Sequence, residues 1–286
     1  MKIKDILKQE KPVLSFEVFP PKKEDAYESV EAAASEIAKL SPAFMSVTYG
    51  AGGGTSKYTV DIASGLSKTY GVNTIAHLTC VSSTKEHVRH MTEQFREHEI
   101  ENVLALRGDI PADGHVENDY KYASELIYDL KTQGDFCIGG ACYPEVHPES
   151  ANKEEDILHL KEKVDAGCDF LTTQMFFDNN LFYNFLYRIR EKGITVPVIA
   201  GIMPVTNAKQ MKRILTMSNT YLPTRFKMIL DKFGDNPAAM KQAGIAYATE
   251  QIIDLVANDV HAIHVYSMNK PDVAAQIKNS LSEIII

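Results

Sequence analysis

The 286 residues carry 30 Lys and Arg against 38 Asp and Glu, and the net charge of -8 is spread along the chain. No basic stripe exists to neutralise phosphates, which excludes nucleic acid as an expected partner. A composition of 44% hydrophobic and 24% charged residues belongs to a folded globular protein and excludes disorder and fibrous repeats.

Met1–Lys11 has no apolar signal core, and the longest apolar run, Val196–Val205, is far short of the ~20 residues a membrane span needs. No membrane association and a cytoplasmic location are therefore expected. Cys80, Cys137, Cys142 and Cys168 have no C-x-x-C spacing and no nearby histidine pair, so they read as core thiols, and no metal site is expected.

Taken in chain order, short β-rich runs alternate with amphipathic helical patterns. The predicted strands are Val13–Phe19, Phe44–Tyr49, Asn73–Cys80, Asn102–Arg107, Phe136–Cys142, Phe170–Phe176, Val196–Ile202 and Ala262–Tyr266. Helical spacing marks Ala26–Leu40, Thr84–His98, Tyr120–Gln133, Lys153–Ala166, Asn180–Lys192 and Asn207–Met217. Gly71, Gly134, Gly167 and Gly193 follow helices, where a residue tolerant of positive φ can stop the helix before the next strand. The rhythm breaks once, at an extra helical stretch Thr224–Phe233 and the long pattern Pro237–Asn258 before the last strand.

Eight βα units without an internal linker predict one α/β domain over residues 1–286, a single (β/α)8 TIM barrel with a helical insertion before the eighth strand. The runner-up is a doubly wound open sheet. That fold would want a glycine fingerprint after an early strand, and Gly50-Ala51-Gly52-Gly53-Gly54 is not G-x-G-x-x-G. The glycine string reads as a βα loop, with a phosphate cradle as the weaker alternative. Ile284–Ile286 could dock on the barrel or on a partner subunit.

In such a barrel the active site lies at the C-terminal strand ends. Those ends carry Glu17, Thr48 and Tyr49, His77 and Thr79, Arg107-Gly108-Asp109, Tyr143, Glu145 and His147, Gln174, and Tyr266 with Asn269. Each alone has a structural reading: His77 as a satisfied core histidine, Arg107 and Asp109 as a loop ion pair, Glu145 and His147 as the solvated face of a proline-braced turn. Their convergence favours a site. No G-x-S-x-G elbow and no H-E-x-x-H spacing is present, so an organic cofactor or substrate suits the pocket better than nucleophilic hydrolysis or a metal.

Six ordered motifs then resemble one family. They are Ser15-Phe16-Glu17-Val18-Phe19-Pro20-Pro21, Ser46-Val47-Thr48-Tyr49-Gly50-Ala51, His77-Leu78-Thr79-Cys80, Leu106-Arg107-Gly108-Asp109, Tyr143-Pro144-Glu145-Val146-His147-Pro148-Glu149 and Thr173-Gln174-Met175-Phe176-Phe177-Asp178. Their order is similar to that of methylenetetrahydrofolate reductases, in the short bacterial form made of the catalytic barrel alone. S-adenosylmethionine control, a property of the longer eukaryotic form, is not expected. The resemblance implies an FAD enzyme of one-carbon metabolism that reduces 5,10-methylenetetrahydrofolate to 5-methyltetrahydrofolate with NADH or NADPH in ping-pong order. A homo-oligomer is expected as partner, with the oligomeric state itself left open by the residues.

Carried over by position, Glu17 is the implied general acid and Asp109 the implied carboxylate beside flavin and folate. A carboxyl group among Phe16, Val18 and Phe19 would be desolvated and kept protonated near neutrality, as a proton donor requires. Thr48, Tyr49, Ala51, His77, Arg107, Gly108, Asp109, Ala123, Tyr143, His147, Asp156, His159 and Lys163 are the implied FAD positions, with Arg107 and Lys163 suited to the pyrophosphate and Asp156 to a ribose hydroxyl. Glu17, Thr48, Asp109, Gln174 and Lys270 are the implied substrate positions. Ile214, His159, Glu162 and Lys270 depart from the family pattern; Lys270 stands where an arginine often meets the glutamyl tail, keeping the charge without the bidentate fork. Two other classes stay open on the residues: a flavin-free barrel lyase or aldolase, and a non-catalytic flavin- or folate-binding subunit of a larger complex.

Overall fold

Eight parallel strands close on themselves in sequence order, each hydrogen-bonded to the next and the last to the first. This computed structural model describes all residues except Lys22, 51–55, Ser82, 110–118, 218–219 and Ile286. A short helix α1 (Ile3–Ile6) precedes β1 (Val13–Val18); α2 (Tyr27–Ala38), β2 (Phe44–Val47), α3 (Ser56–Tyr70), β3 (Asn73–Thr79), α4 (Lys85–Glu97) and β4 (Asn102–Leu106) follow. The second half runs α5 (Ala123–Gln133), β5 (Cys137–Cys142), α6 (Lys153–Asp165), β6 (Phe170–Thr173), α7 (Asn179–Glu191), β7 (Val198–Ile202), α8 (Ala208–Met217), α9 (Thr224–Phe233), α10 (Pro237–Ala257), β8 (Ala262–Val265) and α11 (Pro271–Ser280). The open sheet is thereby excluded, and the insertion before β8 is α9 with α10, as the sequence predicts.

Side chains alternate along each strand, and that alternation divides the core. Outward residues such as Phe16, Val18, Met45, Val47, Ala76 and Leu78 are buried against the surrounding helices in the largest cluster. Inward residues at the N-terminal end of the barrel, Phe44, Ile75, Leu104, Cys137, Phe170, Ile199 and Ala262, form a separate plug closed from below by Ile3 and Ile6 of α1. A third cluster around Phe177, Val205, Met211, Phe226 and Met240 ties α8, α9 and α10 to the segments that follow β6 and β7. Ile285 packs on the main cluster, which settles docking on the barrel for that residue; Ile286 lies outside the described residues.

Helix boundaries follow local chemistry. Thr84, Asn152, Asp178 and Asn236 each accept a backbone N–H at the start of α4, α6, α7 and α10, satisfying donors that the first turn leaves unpaired. Gly71, Gly167 and Gly193 stop their helices at φ of 66°, 113° and 74°, the left-handed region where glycine has no Cβ penalty. Gly134 differs from expectation. Its φ of 173° is extended, so positive φ does not explain it; a Cβ there would sit 3.0 Å from the Phe136 ring, and close packing is the constraint. The helices α1 and α11 are additions to the predicted elements, and strand ends differ: β1, β2, β3, β4, β6 and β8 stop at Val18, Val47, Thr79, Leu106, Thr173 and Val265, while β5 and β7 begin at Cys137 and Val198.

Candidate active site

The register of the barrel brings one acid to the mouth. Glu17 pairs with Ser46 across β1 and β2, while one step below Ser15 pairs with His264 across β1 and β8. All four are inward positions, and all are buried, Glu17 at 7% exposure and His264 at 2%. Ser46 Oγ lies 3.3 Å from Glu17 Oε2 and 2.9 Å from His264 Nε2. His77 Nε2 is 3.7 Å and His264 Nε2 3.9 Å from the same carboxyl oxygen. Burial lowers the His77 pKa to about 4, so its ring is neutral near pH 7, and its Nε2 has no hydrogen-bond partner among the described residues. A buried polar atom of this kind is costly in a purely structural site.

The backbone that carries Glu17 is clamped by the turn after β8. Ser267 Oγ donates to the Glu17 carbonyl at 2.8 Å. The Asn269 amide accepts from Phe19 N at 2.8 Å and donates to Phe19 O at 2.9 Å, replacing the ladder bonds that end with β1. Met268 and Asn269 both have left-handed backbones, φ 54° and 53°, a conformation Asn tolerates better than most residues. Tyr266 crosses over Gly201, where a Cβ would lie 2.4 Å from its hydroxyl oxygen, and donates to the Thr173 carbonyl.

At the ends of β4 and β5, against α5 and α6, lies a cleft of about 550 Å³ lined by Arg107, Tyr143, His147, Glu149, Asp156, His159, Glu162 and Lys163, with Tyr122 and Ser124 from the start of α5; Glu17 does not line it. Lys163 Nζ donates to the Ala141 carbonyl at 2.9 Å, and burial lowers its pKa, a cost that an anion in the cleft would offset. Arg107 makes a two-pronged pair with Glu149, with Nη2 to Oε1 at 2.7 Å; its ion-pair partner is thus Glu149, where the sequence suggested Asp109. Tyr143 and His147 rings meet edge to face at 4.7 Å. Ser150 Oγ donates to Asp156 Oδ1 at 3.1 Å.

Other positions singled out from sequence distribute around the mouth. Gly108 (φ 84°) turns the chain after β4 and leaves Asp109 exposed. Thr48 N donates to the Val18 carbonyl at 3.0 Å, which keeps that residue beside the end of β1. Tyr49 is buried, its hydroxyl 2.7 Å from His87 Nε2, and burial raises its pKa to about 12. Thr48, Tyr49, His77, Gly108, Asp109 and Ala123 are not among the cleft-lining residues; His77 faces Glu17 and Tyr49 faces α4. Ala123 is buried at the first position of α5. Gln174 is exposed just past β6, and Lys270 Nζ donates to Thr206 Oγ1 at 2.6 Å. Ala51 and the glycine string after it lie outside the described residues.

Sequence reasoning missed Ser15, Ser46, His264 and Ser267 as site residues. The available signal was strand parity: Ser15 and Glu17 share a face, and His264 shares the inward face of β8 with Ala262. The four cysteines are buried and free. Among the described residues no cluster of His, Cys, Asp and Glu could hold a metal, and no helix is long and apolar enough to cross a membrane.

A closed (β/α)8 barrel with a buried carboxyl at the end of β1 and a polar cleft at the ends of β4 and β5 has its candidate site at the C-terminal strand ends, where barrels of this class carry it. Comparison with known proteins makes this specific. The chain matches the family model of methylenetetrahydrofolate reductase over residues 2–282. It is 35% identical to the 5,10-methylenetetrahydrofolate reductase of Escherichia coli, covering 94% of this chain and 90% of that protein. It is 36% identical to "Methylenetetrahydrofolate reductase (NADH) 1" of Arabidopsis thaliana over 94% of this chain. The chain spans about half the length of that plant relative, 48%. The chain belongs to the methylenetetrahydrofolate reductase family, a family of oxidoreductases. Among solved structures, a Clostridium thermocellum protein described as binding two copies of 5-methyl-5,6,7,8-tetrahydrofolic acid shares the fold, with TM-score 0.61 at 14% identity and 99% of each chain covered. Oxaloacetate acetylhydrolase shares it at TM-score 0.54 and 12% identity, over 99% of this chain and 84% of that one.

Proposed function

We propose that this chain reduces 5,10-methylenetetrahydrofolate to 5-methyltetrahydrofolate, with FAD as its resident cofactor and NADH or NADPH as electron donor. The observation that carries the reading is the placement of Glu17, a carboxyl group at 7% exposure with Ser46, His77 and His264 around Oε2. Family membership supplies the reaction; this carboxyl supplies a place for its proton.

Cations and acceptors in the cleft support a dinucleotide there, while Glu162, which also lines it, opposes a pyrophosphate. Arg107 and Lys163 offer cations for a pyrophosphate, and Asp156 an acceptor for a ribose hydroxyl. His147, whose pKa burial and Arg107 lower, adds a neutral donor or acceptor. FAD bound here would supply the hydride for a two-electron reduction. The protein's own work is then acid catalysis and positioning. Glu17 gives its proton to N10 of the folate, the bond from N10 to the bridging methylene breaks, and the methylene carbon becomes an N5 iminium, electrophilic enough to accept hydride. Glu17 is left as a carboxylate and takes up a proton before the next turnover.

Asp109, exposed beside the mouth, would accept hydrogen bonds from the pterin ring and set negative charge near the flavin. Gln174 would contact folate and nicotinamide in turn, giving ping-pong order, and Lys270 would meet the glutamyl tail as a point charge. The purified protein should be yellow, bleached anaerobically by NADH or NADPH and recoloured by methylenetetrahydrofolate. A colourless protein that also fails to bind added FAD would contradict the proposal.

A further inference from the structure

The segment that leaves β1 carries one aromatic ring outside the packed core. Pro20 restricts the residue before it to extended backbone, so Phe19 continues the strand alternation and falls on the inward side with Ser15 and Glu17. The outward residues of β1, Leu14, Phe16 and Val18, are all buried in the cluster against the helices. Among the described residues Phe19 belongs to none of the three apolar clusters. It is half-buried at the barrel mouth, one same-face step beyond Glu17, which is about 6.6 Å along a strand.

The backbone under this ring is fixed from two sides. Asn269 accepts from Phe19 N at 2.8 Å and donates to Phe19 O at 2.9 Å, from a turn whose Met268 and Asn269 hold left-handed backbone, a conformation that clusters at functional sites. Pro20 and Pro21, both buried, restrict the chain on the other side. A ring held this firmly and left out of the core is preorganised for a ligand. The order of groups along the rim also matches the order of groups along the substrate. Glu17 serves N10, and Asn269, which grips Phe19, is followed directly by Lys270, the cation read for the glutamyl tail. Between N10 and that tail a folate carries one aryl ring, the p-aminobenzoyl group, bonded directly to N10.

We propose that Phe19 is the platform on which the p-aminobenzoyl ring of the folate packs, between the acid at N10 and the cation at the tail. The inference rests on reading Glu17 as the acid and Lys270 as the tail contact. Ring pairs meet at about 4.5–7 Å between centroids, a range that one same-face strand step from Glu17 supplies. Holding the ring limits rotation about its bond to N10 and keeps that nitrogen aimed at the Glu17 carboxyl. Neighbouring side chains are committed elsewhere. Met203 and Ile214 pack on the cluster around Phe177 and Phe226, and Tyr266 meets the His264 ring edge to face at 5.5 Å while its hydroxyl donates to the Thr173 carbonyl.

The test is a ligand series on the FAD-loaded, reduced enzyme under anaerobic conditions, where a methylated folate binds without reacting. The ligands are 5-methyltetrahydrofolate, 5-methyltetrahydropteroate, which lacks the glutamate, and 5,6-dimethyltetrahydropterin, which lacks the aryl ring as well. Phe19→Ala should weaken the first two about tenfold and leave the third within about twofold of wild type. Phe19→Leu, which keeps bulk where alanine may not fold, should lose about threefold on the same two ligands, and Phe19→Tyr should bind all three as wild type does. Binding of 5-methyltetrahydrofolate within about twofold of wild type by both the alanine and leucine variants would overturn the proposal. An equal loss on all three ligands would assign Phe19 to the scaffold, and a loss on 5-methyltetrahydrofolate alone would assign its contact to the glutamate; either overturns it. Failure of the wild-type enzyme to bind 5-methyltetrahydrofolate would remove the folate reading itself, a separate failure.

Discussion

The two ends of the barrel interior share eight strands and one closed register, yet they are built from opposite chemistry. At the N-terminal end Phe44, Leu104, Phe170 and Ile199 meet the α1 residues Ile3 and Ile6 in a dry plug. At the C-terminal end the same inward columns carry Ser46, His77, Glu17 and His264. Apolar packing is non-directional and fixes where the strands lie; the polar layer above it is directional and orients the Glu17 carboxyl. A rigid lower half lets the upper half tolerate a buried carboxyl and an imidazole nitrogen that has no partner among the described residues.

Breaking the lower half should cost the most stability. Phe170 is fully buried and fits the space left by Gly139, where a Cβ would come within 2.4 Å of its ring. Phe170→Ala should destabilise the protein by about 3–5 kcal/mol, seen as a fall in the urea midpoint. A loss below about 1 kcal/mol would mean the plug collapses to fill the hole.

The upper half should respond to pH where the lower half does not. Burial lowers the His77 pKa from 6.5 to about 4, so the unfolded ring binds a proton at a higher pH than the folded one. Its contribution is full above about pH 6.5 and is lost as pH falls towards 4, about 3 kcal/mol in all. The unfolding free energy of His77→Gln should therefore fall less steeply than wild type between those pH values, and parallel curves would show that His77 is not the group responsible.

A smaller effect is expected at the clamp on β1. Asn269→Ala loses two hydrogen bonds to Phe19 and puts alanine at φ 53°, which should cost about 2 kcal/mol. Asn269→Gly, relieved of the backbone strain, should cost about 1 kcal/mol; equal losses would discount the left-handed backbone. The smallest effect should be at the rim. Glu149 is exposed, and Glu149→Gln should change stability by less than about 1 kcal/mol. By freeing Arg107 from its pair, it should leave FAD affinity equal or a few-fold tighter in a flavin titration; weaker binding would place Glu149 among the residues that favour the cofactor.

The contrast between the two halves also explains what was legible beforehand. Apolar runs and helical periodicity locate all eight strands and the α9–α10 insertion, because burial against helices dominates those patterns. The four-residue α1 is too short to show a period, and α11 follows the final strand with a polar face. Glu17 is visible because a carboxyl inside an apolar strand is conspicuous. His264 is not: a histidine in a short strand becomes informative only once β8 closes on β1 and sets it against Ser15. Pairing over that sequence distance is a product of the closed fold, and no local pattern encodes it.

The central claim is that Glu17 delivers the proton to the folate, and anaerobic stopped-flow on Glu17→Gln tests it most directly. FAD should remain bound and be reduced by nicotinamide at the wild-type rate, while reoxidation of the reduced enzyme by methylenetetrahydrofolate should fall by about 10³-fold or more. Reoxidation at a near-wild-type rate would contradict it.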